Sequence, residues 1–305
     1  MQILLADPSD LSSLVIFNRK EYWDLELYDS VSKDARFNLG VWWVEEDWLK
    51  WHFDILKRSN GGILLAKDKN RIVGELDFVI SPNFWNNKPI FHVHIIWLLV
   101  DKNSRKLGIA TQLIDKLRTL HPNYEIWVDP EDSRSESLYR KYSDPFAFYV
   151  NFEYSSSNLI SENTNIRMRT VSYEFLVKEL KSHALQLQVG KYYAPLFDIM
   201  QLCHGEPVNE LIWGDSEQPT VVEYSLDDTK LVCILSPSLR IFSCGVVSDN
   251  NCQLIVKKLM MDLMILGYSK IEAQLYRDDN FVGILQKLQF KKISDSDPIF
   301  NLQSQ

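Results

Sequence analysis

Apolar positions along the first half of the chain change their period several times, and each change predicts an element. Ile3-Leu4-Leu5-Ala6 is a short strand-like run, and Pro8-Ser9-Asp10 then opens a helix with capping chemistry. Trp48, Trp51 and Ile55 recur at helical spacing. The apolar runs Gly62–Ala66 and Arg71–Ile80, joined by Lys67-Asp68-Lys69-Asn70, predict a hairpin. Phe91–Val100 reads as a long buried strand. Ile109, Leu113, Ile114, Leu117 and Leu120 fall on one helix face, and His121-Pro122 ends it. Glu125–Val128 predicts another strand and Ser133–Tyr142 another helix.

The polar, turn-rich stretch from Ser155 to Asn165 reads as a linker and divides the chain near residue 164. Beyond it the same order of patterns returns. Ile166–Val171 is a strand and Phe175–Leu187 a helix pattern. Thr220–Ser225 and Lys230–Leu235 flank a turn at Asp227-Asp228. Leu239–Val247 (strand), Cys252–Leu266 (helix), Ile271–Tyr276 (strand) and Phe281–Leu288 (helix) follow. Ile80-Ser81-Pro82 matches Leu235-Ser236-Pro237 at an offset of 155. A repeat of such long period means two copies of one domain rather than a solenoid. The expected class is α/β (α+β), with domains at 1–164 and 165–305.

Length and composition agree with this. The 305 residues suffice for two domains, and 46% hydrophobic with 24% charged residues is ordinary globular composition. Against 33 Lys+Arg stand 41 Asp+Glu, a net charge of −8, so no basic nucleic-acid surface is expected. Neither region is basic: residues 1–164 hold 19 basic and 24 acidic side chains, leaving 14 and 17 in residues 165–305. No apolar run has membrane-spanning length, and the N-terminus lacks the pattern of a secretory signal. The four cysteines, Cys203, Cys233, Cys244 and Cys252, show no CxxC spacing. A cytoplasmic, reduced, metal-free protein is expected, without nucleic-acid or membrane partners, as a monomer or homodimer. Of nine tryptophans, eight lie between Trp23 and Trp127, which sets the two regions apart.

The chemistry is concentrated after the long strand. Leu98-Leu99-Val100 runs into the polar loop Asp101–Leu107, and the loop into a helix start at Gly108-Ile109-Ala110-Thr111. Free N–H groups and the positive end of the helix dipole make such a start an anion site. Gly108 permits close backbone approach, Ala110 stays small, and Arg105 and Lys106 add positive charge.

Arg105-Lys106-Leu107-Gly108-Ile109-Ala110 between strand and helix resembles the Arg/Gln-x-x-Gly-x-Gly/Ala signature of the GNAT acetyltransferase superfamily. The resemblance implies that residues 105–111 grip the pyrophosphate of acetyl-coenzyme A. It also implies that the backbone of Leu98, Leu99 and Val100 pairs with the pantetheine arm and stabilises the oxyanion. A second motif agrees: Asp132-Ser133-Arg134-Ser135-Glu136-Ser137-Leu138-Tyr139 is similar to the family's Asn-x-x-Ala-x-x-Leu-Tyr, with Asp for Asn and Ser for Ala. This makes Asp132 a cofactor-binding candidate and Tyr139 the candidate general acid on the departing thiolate. A phenol is protonated at neutral pH and can serve so; the other reading of Tyr139 is a packing aromatic. The family's Gly-Phe after this helix is replaced by Ser143-Asp144.

An amine nucleophile needs a base, because an alkyl ammonium with a pKa near ~10 attacks only after losing a proton. Eleven positions before Arg105, where many family members carry Glu, stands His94. Imidazole titrates near ~6.5 and is a sensible base. His92 lies on the same strand face, and Glu75 and Asp77 on the preceding strand are further candidates, as is a held water. Both histidines can also be read as hydrogen-bonded core residues.

In the family the segment around Trp42-Trp43-Val44-Glu45-Glu46-Asp47-Trp48-Leu49-Lys50-Trp51 forms the acceptor wall, and this composition suits a cationic amine. The alternative is that Trp48 and Trp51 are core. In the second region the turn Ser248–Gln253 lacks Gly, Arg and Lys, and Leu285 stands where the offset from Tyr139 places the acid. The resemblance therefore implies one working site and a degenerate second copy. The expected activity is transfer of an acetyl group from acetyl-coenzyme A to a primary amine, small-molecule or peptide, by direct attack. The rivals are an idle acyl-coenzyme A sensor or interaction module and an aminoacyl-tRNA-dependent transferase of related fold.

Overall fold

A computed structural model describes residues 1–22, 45–85, 88–130, 132–154, 165–172, 174–175, 178, 186–189, 220–235, 243–246, 251–265, 271–276, 280–294 and 298–303. Its first sheet begins with β1 (Gln2–Leu5), β2 (Gly62–Asp68), β3 (Arg71–Trp85) and β4 (Lys88–Val100). The β2–β3 hairpin turns where expected, with Lys69 in the left-handed region at φ 57°. β5 (Glu125–Val128) joins β4 in parallel, while the other pairings are antiparallel.

Helices cover both faces. α1 (Leu11–Tyr22) and α2 (Glu46–Arg58) pack on one face through Leu14, Phe17, Leu49 and Leu56 against Ile63, Leu65 and Val79. Glu46 and Asp47 in the first turn of α2 and Lys57 and Arg58 in the last complement its dipole. α3 (Ile109–Leu120) and α4 (Ser133–Tyr139) cover the other face, where Leu113, Leu117 and Tyr139 meet Leu64, Leu76, Val93 and Val128.

β6 (Pro145–Tyr154) was not foreseen in the sequence, and the predicted helix 133–142 stops at Tyr139 to make room for the turn into it. β7 (Arg167–Val171), β8 (Gln186–Val189), β9 (Thr220–Leu226), β10 (Thr229–Leu235) and β11 (Ser243–Val246) form a second, five-stranded antiparallel sheet in the order β7-β9-β10-β11-β8. The helix expected over 175–187 is corrected at its end: Gln186–Val189 alternates polar and apolar and pairs as a strand. α5 (Cys252–Ile265) packs on β9 and β10, burying Ile255, Val256 and Leu259 with Tyr224 and Leu231.

β12 (Ile271–Tyr276) and α6 (Asn280–Lys287) form where the sequence predicts a strand and a helix, and β13 (Lys291–Ser294) and β14 (Pro298–Asn301), which were not foreseen, follow. Their strands do not stay in the second sheet. β12 and β13 pair with β6, and β14 inserts between β5 and β6, so the first sheet runs β1-β2-β3-β4-β5-β14-β6-β12. Strands from both sides of residue 164 thus share one sheet. The predicted linker itself, 155–164, lies outside the described residues, as do Trp23, Trp42, Trp43, Trp213 and Cys203.

Candidate active site

The site is built where β4 and β5 part. β4 carries a bulge: Asp77 pairs with Trp97 and Phe78 with Ile95, so Ile96 has no opposite number on β3. The ladder from β4 to β5 holds His92–Glu125, Val93–Ile126 and His94–Trp127 and then stops. Beyond it the edge of Leu98, Leu99 and Val100 that faces β5 has no strand against it among the described residues. A forked pair of strands with an unladdered edge is a slot for an extended, amide-bearing ligand.

The loop at the open end is held from both sides. Asp101 is buried, accepts a hydrogen bond from the Asn103 N–H (2.8 Å) and receives Lys20 Nζ at 2.9 Å, with Arg71 at 3.8 Å. Burial pushes the Asp101 carboxyl up, but the Lys20 and Asn103 bonds outweigh it and leave its pKa below the usual range. Arg105 Nε donates to the Val100 carbonyl at 3.1 Å. Lys106 and Gly108 are both left-handed, with φ of 66° and 77°. A Cβ on Gly108 would come no closer than 4.0 Å to Gln112 Nε2, so glycine is favoured there by backbone conformation rather than by internal crowding. Lys106, Leu107 and Gly108 are exposed, at the N-terminus of α3.

α3 is set close to the sheet by Gly74, a residue that sequence reasoning did not single out. A Cβ there would meet Ile109 Cγ2 at 2.8 Å and Leu113 Cδ1 at 3.2 Å. Its only advance signal is a glycine inside a strand pattern, which marks close approach of another element.

His94 and Tyr139 lie on opposite faces of this fork. His94 pairs with Val79, whose side chain belongs to the α1–α2 core, and is 1% exposed. Its Nε2 stands 3.5 Å from Asp129 Oδ1. Asp129 was missed in the sequence; its signal is a carboxylate two positions after Trp127, hence on the same face, just past the end of β5. His92 stacks on Trp127 at 4.0 Å and meets His94 edge-on at 5.6 Å. Trp127 Nε1 in turn donates to Glu125 Oε2 at 2.7 Å. His92 is therefore a packed ring behind His94.

Tyr139 belongs to the α3–α4 core, buried beside Val128 and tilted against Phe300 of β14 at 6.0 Å. Asp132 is the N-cap of α4. Its Oδ1 accepts from the Arg134 and Ser135 N–H groups at 2.9 and 2.8 Å, and Oδ2 pairs with Arg134. The Ser135 backbone bond above all, then Arg134, holds its pKa down to about 2. Its carboxylate thus caps the N-terminus of α4. Tyr142, one turn on, reaches Thr111 O and Asp115 Oδ1 at 3.4 Å each, and burial with the Asp115 charge pushes its phenol up to about 12.

Glu75 and Asp77 sit deep on the α1–α2 face rather than at the fork. Among the described residues, no group of three or more His, Cys, Asp or Glu side chains is arranged to hold a metal ion.

The comparisons agree with this geometry. Residues 24–143 match the profile of the acetyltransferase (GNAT) family. Over this region the chain is similar to the GNAT acetyltransferase family. Solved structures extend the likeness over the whole chain. A GCN5-related N-acetyltransferase from Kribbella flavida is 11% identical, with a TM-score of 0.61 over 99% of this chain and 71% of its own. One from Anabaena variabilis is also 11% identical, with a TM-score of 0.63 over 98% and 71%. Eis1 from Mycobacterium abscessus is 14% identical, with a TM-score of 0.60 over 99% and 74%. At these identities the likeness is one of fold. No curated protein matches the sequence. Family and fold together support acyl transfer as the reaction class. No helix among the described residues is long and apolar enough to cross a membrane.

Proposed function

We propose that the chain moves an acetyl group from acetyl-coenzyme A to a primary amine at the β4–β5 fork, in the cytoplasm and with no metal. The observation that carries this reading is the union of the fork with the Arg105–Thr111 loop. The unladdered edge of Leu98–Val100 leads directly to two left-handed residues and a helix N-terminus. The edge offers backbone donors and acceptors to the amides of a pantetheine arm. The helix start, with Arg105 and Lys106, offers N–H groups and charge to a pyrophosphate.

The acceptor amine approaches from the α1–α2 side. His94, with Asp129 beside it, takes the ammonium proton, and the free amine attacks the thioester carbonyl. A backbone N–H on the β4 edge near Val100 stabilises the oxyanion. The carbon–sulfur bond breaks, and Tyr139 on the other face gives its proton to the thiolate. The placement of His94 and Tyr139 on different faces suits this order, since the amine and the sulfur are separate substituents of the tetrahedral intermediate and each needs its own proton-transfer group.

The second region we read as a degenerate copy. Its elements from β9 to α6 repeat the order of those from β2 to α4, but Leu285 replaces the tyrosine and is buried as core. The test is calorimetric titration of acetyl-coenzyme A into the wild type and Gly108→Glu. Binding by the first and its loss in the second is expected; equal affinity would remove the loop from the site.

A further inference from the structure

Glu75 and Asp77 stand two residues apart on one face of β3, with exposures of 1% and 2%. Their neighbours across the sheet bring no charge: Leu65 and Ile63 of β2, and Leu99 and Trp97 of β4. Among the described residues, Asn18 of α1 and His52 of α2 reach them from the helices. Asn18 hydrogen-bonds Glu75, the two carboxyls bond each other, and His52 Nε2 lies 2.7 Å from Asp77 Oδ2. The cationic side chains of α1 are turned elsewhere, Lys20 to Asp101 and Arg19 to Glu45. On α2, Lys50 is exposed, Lys57 lies over Phe53 and Arg58 pairs with Asp54.

The result is a buried pair of acids with no cation among the described residues. Asn18 Oδ1, Glu75 Oε2 and Asp77 Oδ1 are buried oxygens without a hydrogen-bond partner among those residues. Asn18 is 3% exposed, so its oxygen is not satisfied by bulk water. Trp48 stacks on His52 at 4.5 Å, and Trp48, Trp51, Ile96 and Leu99 are only half-buried, so this border of the core lies towards the surface and the fork. Asp77 shares its sheet face with His94 on the neighbouring strand, at a diagonal separation of roughly 7–8 Å.

We propose that Asn18, Glu75 and Asp77 anchor a second ammonium group of the acceptor, one that is not acylated. This rests on the reading of the fork as an acyl-transfer site for amines. An ammonium has three N–H donors for the three oxygens and one charge for the acid pair, and the Trp48 and Trp51 faces suit a cation. Water could supply donors but not charge. Burial, and for Glu75 the Asp77 charge as well, pushes both carboxyls upward, Asp77 to about 8, so that Asp77 holds its proton at neutrality, while His52 is driven down to about 3 by burial and stays neutral. Binding the ammonium ionises one carboxyl, and the proton leaves to buffer.

The test uses putrescine and aminobutanol, which lacks one ammonium, titrated calorimetrically into the full chain with coenzyme A bound. Two buffers of different ionisation heat report the proton. Putrescine is expected to bind at least ~tenfold tighter, as a charge-assisted bond warrants. It should release about one proton at pH 7 and tighten about tenfold per pH unit up to pH ~8. Asp77→Asn and Glu75→Gln should each remove the preference and keep coenzyme A affinity; Asn18→Leu, which leaves both acids, should weaken it. Equal binding of the two probes, no proton release, or variants that keep the preference while gaining thermal stability would overturn the anchor and leave buried water only. Coenzyme A is titrated first: its failure to bind the wild type would instead overturn the fork reading on which the anchor rests.

Discussion

His94 Nε2 and Asp129 Oδ1 face each other at 3.5 Å across the point where β4 and β5 separate. The carboxylate comes from the end of the diverging strand and the imidazole from the last laddered position. The pair therefore exists only because the fork opens there. A carboxylate so placed orients the ring and stabilises the imidazolium formed when the amine loses its proton. Asp129→Asn should lower kcat by about 10- to 100-fold, less than the ~10²–10⁴-fold of His94→Ala, since it removes a positioning residue and not the base itself. Coenzyme A affinity should not change in either variant. Steady-state kinetics with calorimetry checks this, and an unaltered kcat in Asp129→Asn would dissociate the pair from the reaction.

Tyr139→Phe keeps the ring that packs against Phe300 and removes only the hydroxyl. Turnover should fall about 10²–10³-fold with little change in the KM for acetyl-coenzyme A, the range for loss of a general acid. Stability should stay near wild type. Full turnover by the phenylalanine variant would make Tyr139 a packing residue.

Two substitutions at Gly108 separate conformation from ligand approach. Gly108→Ala fits the space, because the nearest atom to its Cβ is 4.0 Å away, but forces alanine to φ 77°. A cost of about 1–2 kcal/mol in unfolding free energy is expected, with weakened coenzyme A binding. Gly108→Glu adds bulk and negative charge where the phosphates are to lie and should abolish binding. Denaturant unfolding beside calorimetry resolves the two effects.

Asp77 also predicts a pH dependence of stability. Its folded-state pKa of about 8 lies above the ordinary 3.8. The folded chain therefore holds a proton that the unfolded chain releases, and the stability so gained is lost as pH rises through about 8. His52 works in the opposite sense, with its pKa lowered to about 3, so the stability it contributes is complete above its ordinary 6.5 and lost on acidification. Between pH 6.5 and 8 the Asp77 effect stands clear of it. Thermal unfolding should fall across this window in the wild type and flatten in Asp77→Asn; parallel curves would contradict the buried, protonated state.

Most of the first sheet was legible because its signals are local. Hairpin turns, the helix face from Ile109 to Leu117, and the glycine between strand and helix are all written in neighbouring residues. What sequence missed is set by pairing at long range. Nothing near Pro298–Asn301 indicates that this strand enters between β5 and β6, where Phe300 then supports Tyr139. Asp129 has meaning only once β5 is placed beside His94. Glu75 and Asp77 looked like alternative bases from spacing alone, and only the fold shows that the pair is buried under α1 and α2, on the sheet face of His94. Asp132 was read for the cofactor, and the fold adds that two backbone N–H groups bond its carboxylate.

The central claim is acyl transfer from acetyl-coenzyme A to an amine at the β4–β5 fork. It is tested most directly by continuous thiol release from acetyl-coenzyme A across a panel of primary amines, with the wild type beside Gly108→Glu. Amine-dependent release by the wild type, absent in the variant, is the predicted result. Release no faster than amine-free hydrolysis over the whole panel, or equal release by both proteins, would contradict it.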